Sequence, residues 1–180
     1  MKELSLHILD LVQNSVHAKA DEICIEILER SKEDSYQICI RDNGSGMDAE
    51  TLKNILNPFF TTKRKKTGLG IPLLTQHAEL TGGEVTIDSE VGKGTGVIAK
   101  FVRSSIDRQP LGDMAGTMTG LIRSYPGINF EYIHVIDEKK FTFSTREITE
   151  ELDGVPLQSA EVIGFIKELI VGNLTEMGVA

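Results

Sequence analysis

The chain has 180 residues, of which 40% are hydrophobic and 26% are charged, and its formal net charge is −8. This length holds one ordinary domain, or one domain with an appendage. The acidic balance argues against a nucleic-acid-binding surface, which shows as clustered Lys and Arg. No apolar run approaches the ~18 residues of a membrane span, and the first residues lack the apolar stretch of a signal peptide. We therefore expect a soluble, cytoplasmic protein.

The first part of the chain is predicted to contain helices and strands without regular alternation. Apolar residues at helical spacing predict a helix over 3–19. Alternating residues then predict strands over 22–29 and 36–41, which a short charged turn joins as an antiparallel hairpin. The following predicted elements are a helix at 48–56, an irregular stretch at 57–67, a helix at 71–81, and strands at 84–89 and 96–102. This order indicates an α+β protein, a two-layer α/β sandwich with a mixed or antiparallel sheet.

The last part of the chain is predicted to form a second, smaller unit. Residues 104–109 have the composition of a linker. The predicted elements after it are a helix at 110–124, a hairpin formed by 128–136 and 140–145, and helices at 146–153 and 158–177. The expected division is thus one domain over 1–103 and a small C-terminal α+β unit over 104–180, whose role the pattern leaves open.

Asp42 ends a predicted strand and is followed by Gly44, Gly46 and Met47. The carboxylate can accept a hydrogen bond from an amine of a ligand. Glycine lets the backbone turn sharply and approach a flat ring without a Cβ in between. This short motif therefore predicts one wall of a small ligand pocket.

Asp10 and Asn14 lie one turn apart on the first predicted helix, so their oxygens face the same way. Mg²⁺ prefers oxygen ligands and commonly completes its coordination with water and substrate phosphates. The pair is therefore a candidate magnesium site. The alternative interpretation is the exposed polar face of an ordinary amphipathic helix.

Two further motifs contain closely spaced glycines. The run Thr67, Gly68, Leu69 and Gly70 opens a predicted helix, where backbone N–H groups and the helix N-terminus favour a phosphate. It matches neither the P-loop pattern nor the three-glycine dinucleotide fingerprint. The last motif is the glycine-rich turn before the final strand of the first domain, and it contains Thr95.

These motifs, with the segment Asn57–Lys63 between them, resemble the ATP-binding domain shared by DNA gyrase, ninety-kilodalton heat-shock chaperones, histidine kinases and mismatch-repair ATPases. The resemblance covers about residues 1–103. The runs Pro-Phe-Phe-Thr-Thr-Lys and Thr-Gly-Leu-Gly are most similar to the histidine-kinase branch. The resemblance implies the Bergerat fold, with ATP and Mg²⁺ as cofactors.

The resemblance also implies roles for individual residues. Asp42 would anchor the adenine amine, Asn14 would bind Mg²⁺, and residues 57–67 would form a lid over the nucleotide. Asp10 is expected to be the catalytic residue and a second metal ligand, although it is one methylene shorter than the water-activating Glu of hydrolysing members. The residues expected to contact the nucleotide are Asn14, His17, Asp42, Gly44, Gly46, Met47, Lys63, Thr67, Gly68, Leu69, Gly70 and Thr95.

The departures from the histidine-kinase pattern leave three functions open. The family's dimerising hairpin and its phosphorylated histidine motif are not found, so autophosphorylation is not expected. A protein kinase acting in trans, similar to the anti-sigma kinases, is preferred. An ATP-gated switch that binds a protein partner and a slow ATPase are the alternatives. The tail is similar to that of small stand-alone bacterial ATP-binding proteins, and the protein partner and a possible homodimer remain to be identified.

Overall fold

The computed structural model describes residues 2–55 and 70–179 of the chain. The helices and strands within them lie close to the expected positions. In chain order they are α1 (Leu4–His17), β1 (Glu22–Arg30), β2 (Ser35–Asp42), α2 (Ala49–Asn54), α3 (Gly70–Leu80), β3 (Glu84–Glu90), β4 (Gly94–Val102), α4 (Met114–Ser124), β5 (Asn129–Ile136), β6 (Lys139–Ser144), α5 (Thr145–Glu151) and α6 (Ala160–Met177).

All six strands belong to one sheet with the order β3-β4-β2-β1-β5-β6. Neighbouring strands are antiparallel except β1 and β5, which pair in parallel from Glu22↔Asn129 to Glu29↔Ile136. The prediction of a mixed sheet is therefore confirmed. The hairpin of β5 and β6 continues the sheet that the first 103 residues begin, and the division into two domains at residue 103 stays a prediction.

The core lies between this sheet and the helices. Along β1, Ile23, Ile25 and Ile27 are buried while the residues between them are partly exposed, as expected for a strand covered on one face. Residues of α4 and α6, among them Met118 and Ile166, belong to the same buried cluster. The two-layer sandwich is thus built by both parts of the chain. No helix within residues 2–55 and 70–179 is long and apolar enough to cross a bilayer.

The register of β2, β4 and β3 brings three polar residues into one row. Asp42 pairs with Thr95, and Thr95 pairs with Ser89 on its other side. Directly opposite residues of antiparallel strands point to the same face of the sheet. The row therefore lies at one end of the sheet, where β2 runs into the glycine-containing loop.

Helix α4 begins at Met114, so the expected start at residue 110 was wrong. Gly112 has φ +82, a left-handed conformation that no α-helix contains. The Asp113 side chain then accepts a hydrogen bond from the Gly116 N–H and caps the helix. The apolar spacing of the sequence continues through Leu111, but the backbone takes up a left-handed conformation at Gly112, which glycine adopts without steric cost.

The segment before α4 runs along the first turn of α1. The N–H groups of Leu4 and Ser5 donate to the carbonyls of Pro110 and Leu111 at 2.9 and 2.8 Å. The first N–H groups of a helix have no partner inside the helix, so this segment satisfies two of them. The tail is thereby hydrogen-bonded to the helix that carries Asp10 and Asn14.

Candidate functional site

Three donors among the described residues hold the carboxylate of Asp42. Its Oδ1 accepts from the N–H groups of Gly44 at 2.9 Å and Thr95 at 3.3 Å, and its Oδ2 accepts from Ser15 Oγ at 2.6 Å. These donors come from the loop, from β4 and from α1, so the orientation of the carboxylate is fixed from three sides. A carboxylate can accept about four hydrogen bonds, which leaves capacity for one from a ligand.

Ser15 is a site residue that the sequence motifs did not indicate. It is buried on α1 and stands 27 positions before Asp42, so its contact depends on how the helix packs on the sheet. The available signal was its place on the apolar line of α1, one turn after Leu11. A hydroxyl on a buried stripe requires a partner, and here that partner is the carboxylate.

The two glycines after Asp42 are required by nearby protein atoms. A Cβ on Gly44 would lie 2.8 Å from the Cβ of Ala18, at the end of α1. Gly46 has φ +65, and a Cβ there would lie 1.9 Å from the carbonyl oxygen of Glu90. Close approach of the loop to α1 and β3 therefore accounts for both glycines. The expected approach of these two glycines to a flat ring of a ligand stays a prediction.

Ser89 connects the loop to the row of polar residues. Its Oγ accepts from the Met47 N–H at 2.9 Å, lies 2.8 Å from Thr95 Oγ1, and donates to the Gly94 carbonyl at 3.1 Å. Sequence motifs did not indicate Ser89 either, because its role follows from the register of β3 on β4. Met47 and Thr95, both expected near the nucleotide, are thus held by one hydroxyl.

The candidate metal residues lie on the same helix. Asp10 is partly exposed and Asn14 is exposed, one turn further along α1. Burial raises the pKa of the Asp10 carboxyl above its ordinary value. Gly70, the first residue of α3, lies against it, since a Cβ there would be 3.4 Å from Asp10 Oδ2. The start of α3 therefore lies beside Asp10, one of the two candidate metal ligands.

These residues fit magnesium better than a metal with a full set of protein ligands. Within the described part of the chain, no group of three or more His, Cys, Asp or Glu side chains could hold a metal ion. Mg²⁺ is often held by one or two protein oxygens together with phosphates and water. Asp10 and Asn14 supply oxygens of that kind.

The other expected contacts are outside this arrangement. His17 is exposed, and its Nδ1 lies 2.6 Å from the Gln13 carbonyl of its own helix, so the ring is turned back along α1. The remaining expected contacts lie outside the described residues. They are Lys63, Thr67, Gly68 and Leu69.

A depression of about 410 Å³ lies beside the network. Arg41, Thr86, Asp88, Gly96 and Ile98 line it, together with Asp42 and Thr95. The first five alternate along the strands with the row of Asp42, Thr95 and Ser89, so they belong to the opposite face of the sheet. The depression therefore lies on the face of the sheet opposite the helices, behind the carboxylate network.

Comparison with known proteins identifies the family of this chain. Residues 2–105 match the model of the family described as histidine kinase-, DNA gyrase B-, and HSP90-like ATPase. The chain belongs to this family, and this part of it is an ATP-binding domain of the histidine-kinase type.

Individual relatives include bacterial kinases. The chain is 34% identical over 87 residues to sporulation kinase C of Bacillus subtilis, covering 48% of this chain and 20% of that protein. It is 38% identical over 95 residues to the sensor histidine kinase ZraS of Klebsiella oxytoca, covering 52% and 20%. The chain thus spans a fifth of the length of these relatives.

The fold is also found in a solved structure described as the N-terminal domain of a DNA repair protein. The TM-score is 0.60 at 16% identity, over 81% of this chain and 53% of that one. The similarity shows a shared fold. It extends beyond the residues that the family model matches and therefore includes part of the tail.

Proposed function

We propose that this protein binds Mg-ATP at the Asp42 network and transfers the γ-phosphoryl group to a partner protein in trans. The observation that carries the proposal is the Asp42 carboxylate, which three donors hold while one acceptor position stays available. An ionised carboxylate only accepts hydrogen bonds, so it suits the amine of adenine.

The phosphate end of the nucleotide is assigned to the opening of α3 and the polar turn of α1. Asn14 and Asp10 would hold Mg²⁺, and Gly70 would lie near the phosphates at the α3 N-terminus. Bound Mg-ATP supplies an activated phosphoryl group. The residues of this chain would orient the nucleotide, with Asp10 acting on the metal as an ionised carboxylate.

The preference for kinase activity is supported by the relatives. Sporulation kinase C and ZraS are kinases by name, and this chain spans a fifth of each. A phosphate acceptor on a separate protein is the arrangement that we propose for this chain. The partner remains to be identified, and a homodimer is one arrangement in which the acceptor would be a second copy.

An ATP-gated switch is the second candidate, and a contact of the tail favours it. Pro110 and Leu111 accept from the first N–H groups of α1, the helix that carries Asp10 and Asn14. A shift of α1 on nucleotide binding would therefore act directly on the tail through these hydrogen bonds. A surface on the tail could then bind a protein partner in one nucleotide state.

Incubation with γ-labelled ATP, Mg²⁺ and purified candidate partners tests the kinase proposal. Label on a partner, lost in the Asp42→Asn variant, is the expected result. Binding of a partner that depends on ATP without transfer of label would favour the switch. Release of free phosphate that is lost in Asp10→Ala, with no label on any protein, would favour a slow ATPase.

A further inference from the structure

Within residues 2–55 and 70–179, the Ser89 hydroxyl has three hydrogen-bonding neighbours. They are the Met47 N–H at 2.9 Å, the Gly94 carbonyl at 3.1 Å and Thr95 Oγ1 at 2.8 Å. A serine hydroxyl has one proton to donate and two lone pairs that accept. Three contacts therefore use its full capacity.

The chemistry of two neighbours determines the direction of the third bond. The Met47 N–H can only donate and the Gly94 carbonyl can only accept. All three contacts are hydrogen bonds at once only when Ser89 accepts from Met47, gives its proton to Gly94 and uses its second lone pair for Thr95. In that arrangement the Thr95 hydroxyl is the donor in the bond between the two side chains.

In that arrangement the only proton of the Thr95 hydroxyl is directed at Ser89, so toward its surroundings Thr95 presents lone pairs alone. Its neighbour in the row is Asp42, whose Oδ1 accepts from the Thr95 N–H at 3.3 Å. Side-chain acceptors of two adjacent residues thus lie together at this end of the sheet.

We propose that Ser89 is a positioning residue that determines base specificity by acting through Thr95. Held as an acceptor, the Thr95 hydroxyl favours a purine with a 6-amino group, which donates, over one with a 6-oxo group, which accepts. This inference rests on the proposed nucleotide site. It concerns the choice of base and is independent of whether phosphate is transferred.

Calorimetric titration with Mg-ATP and with Mg-ITP tests the proposal, because ITP carries a 6-oxo group where ATP has its amine. In Ser89→Ala the Thr95 proton is free to turn toward a 6-oxo group. The ratio of Kd for ITP to Kd for ATP should then fall about 10-fold relative to the unchanged protein. Ser89→Thr keeps a hydroxyl and should keep the ratio. Thr86→Ala, on the opposite face of β3, is the matched control and should also keep it.

The Thr95→Val variant separates this role from a structural one. It should lower the ratio by itself, and adding Ser89→Ala should lower it no further. The proposal is overturned if Ser89→Ala weakens both nucleotides by one factor, or if its effect persists without the Thr95 hydroxyl. An unchanged ratio in Thr95→Val overturns it even where Ser89→Ala does not fold. Failure of the unchanged protein to bind either nucleotide would instead remove the proposed function.

Discussion

Ser15 on α1 is the closest of the three donors to the site carboxylate, with 2.6 Å between its Oγ and Asp42 Oδ2. Replacing it with alanine leaves Oδ2 without that donor and frees the carboxylate to rotate. We expect Ser15→Ala to weaken Mg-ATP binding about 5- to 20-fold, the equivalent of one charge-assisted hydrogen bond. Isothermal titration measures the change. Ser45→Ala, an exposed serine of the loop, is the control, and equal affinity of both variants would contradict the role of Ser15.

The buried position of His7 predicts how the stability of the protein depends on pH. It lies on the buried face of α1 toward α3, with Nε2 at 2.9 Å from His77 Nδ1 and 3.1 Å from Gln109 Oε1. Burial, and secondarily the neighbouring His77, lowers the pKa of His7 to about 4 from 6.5. Between these values the unfolded chain binds the proton and the folded chain does not. The contribution of neutral His7 to stability is therefore complete above pH 6.5 and decreases as the pH falls toward 4.

Urea unfolding at a series of pH values checks this expectation. The free energy of unfolding should decrease by up to about 3 kcal/mol between pH 6.5 and pH 4 because of His7. In His7→Gln that part of the decrease should disappear. A slope that His7→Gln does not change would show that His7 is not the responsible group.

At the scale of single elements, α4 and the turn before it contain two glycines whose replacement by alanine should change stability in opposite directions. Gly112 precedes the helix with φ +82, and a Cβ there would lie 2.3 Å from the Glu3 carboxylate. Gly120 lies inside the helix, is exposed, and has nothing within 4 Å of a built Cβ. We expect Gly112→Ala to destabilise by about 1–3 kcal/mol and Gly120→Ala to stabilise by up to about 1 kcal/mol. Urea unfolding measures both, and effects of the same sign would refute the backbone account of where α4 begins.

The elements themselves were largely predictable because each has a local pattern. Alternating isoleucines identify β1, and helical spacing identifies α1 and α6. The start of α4 was not predictable from spacing, since Leu111 continues the apolar pattern while the backbone at Gly112 leaves the helical region. The parallel pairing of β1 with β5 was missed for a related reason. Local sequence indicates hairpins but contains no signal for strands that pair about a hundred residues apart.

The site divides in the same way. Asp42 and its glycines form a contiguous motif, so the sequence alone could predict them as site residues. Ser15 and Ser89 reach the motif from α1 and β3, through helix packing and strand register. Their sequence neighbours are ordinary for a helix and an edge strand, and only the assembled fold brings their hydroxyls to Asp42 and Thr95.

At the scale of the whole molecule, the tail completes the core of the family domain. Buried Glu29 accepts from His134 of β5 at 3.1 Å and from Arg103 at 3.2 Å. Burial alone would raise the pKa of Glu29, and these two partners hold it below its ordinary value. Removing the tail would leave this carboxylate with one partner, and it would expose the apolar residues that α4 and α6 now cover.

A truncated chain of residues 1–105 tests that dependence. We expect it to lack a cooperative urea transition, because the edge of β1 and one side of the core lose their partners. Circular dichroism followed during denaturation makes the comparison with the full chain. A cooperative transition of similar midpoint in the fragment would show instead that residues 1–103 form an independent domain.

The central claim is that Asp42 receives the amine of ATP, and calorimetric titration of the Asp42→Asn variant tests it most directly. Asn offers a weaker, uncharged acceptor of the same shape, so Mg-ATP should bind about 10- to 100-fold more weakly. Asp48→Asn, which can still cap α2, is the matched control and should bind as the unchanged protein does. Equal affinity of the unchanged protein and Asp42→Asn for Mg-ATP would contradict the account.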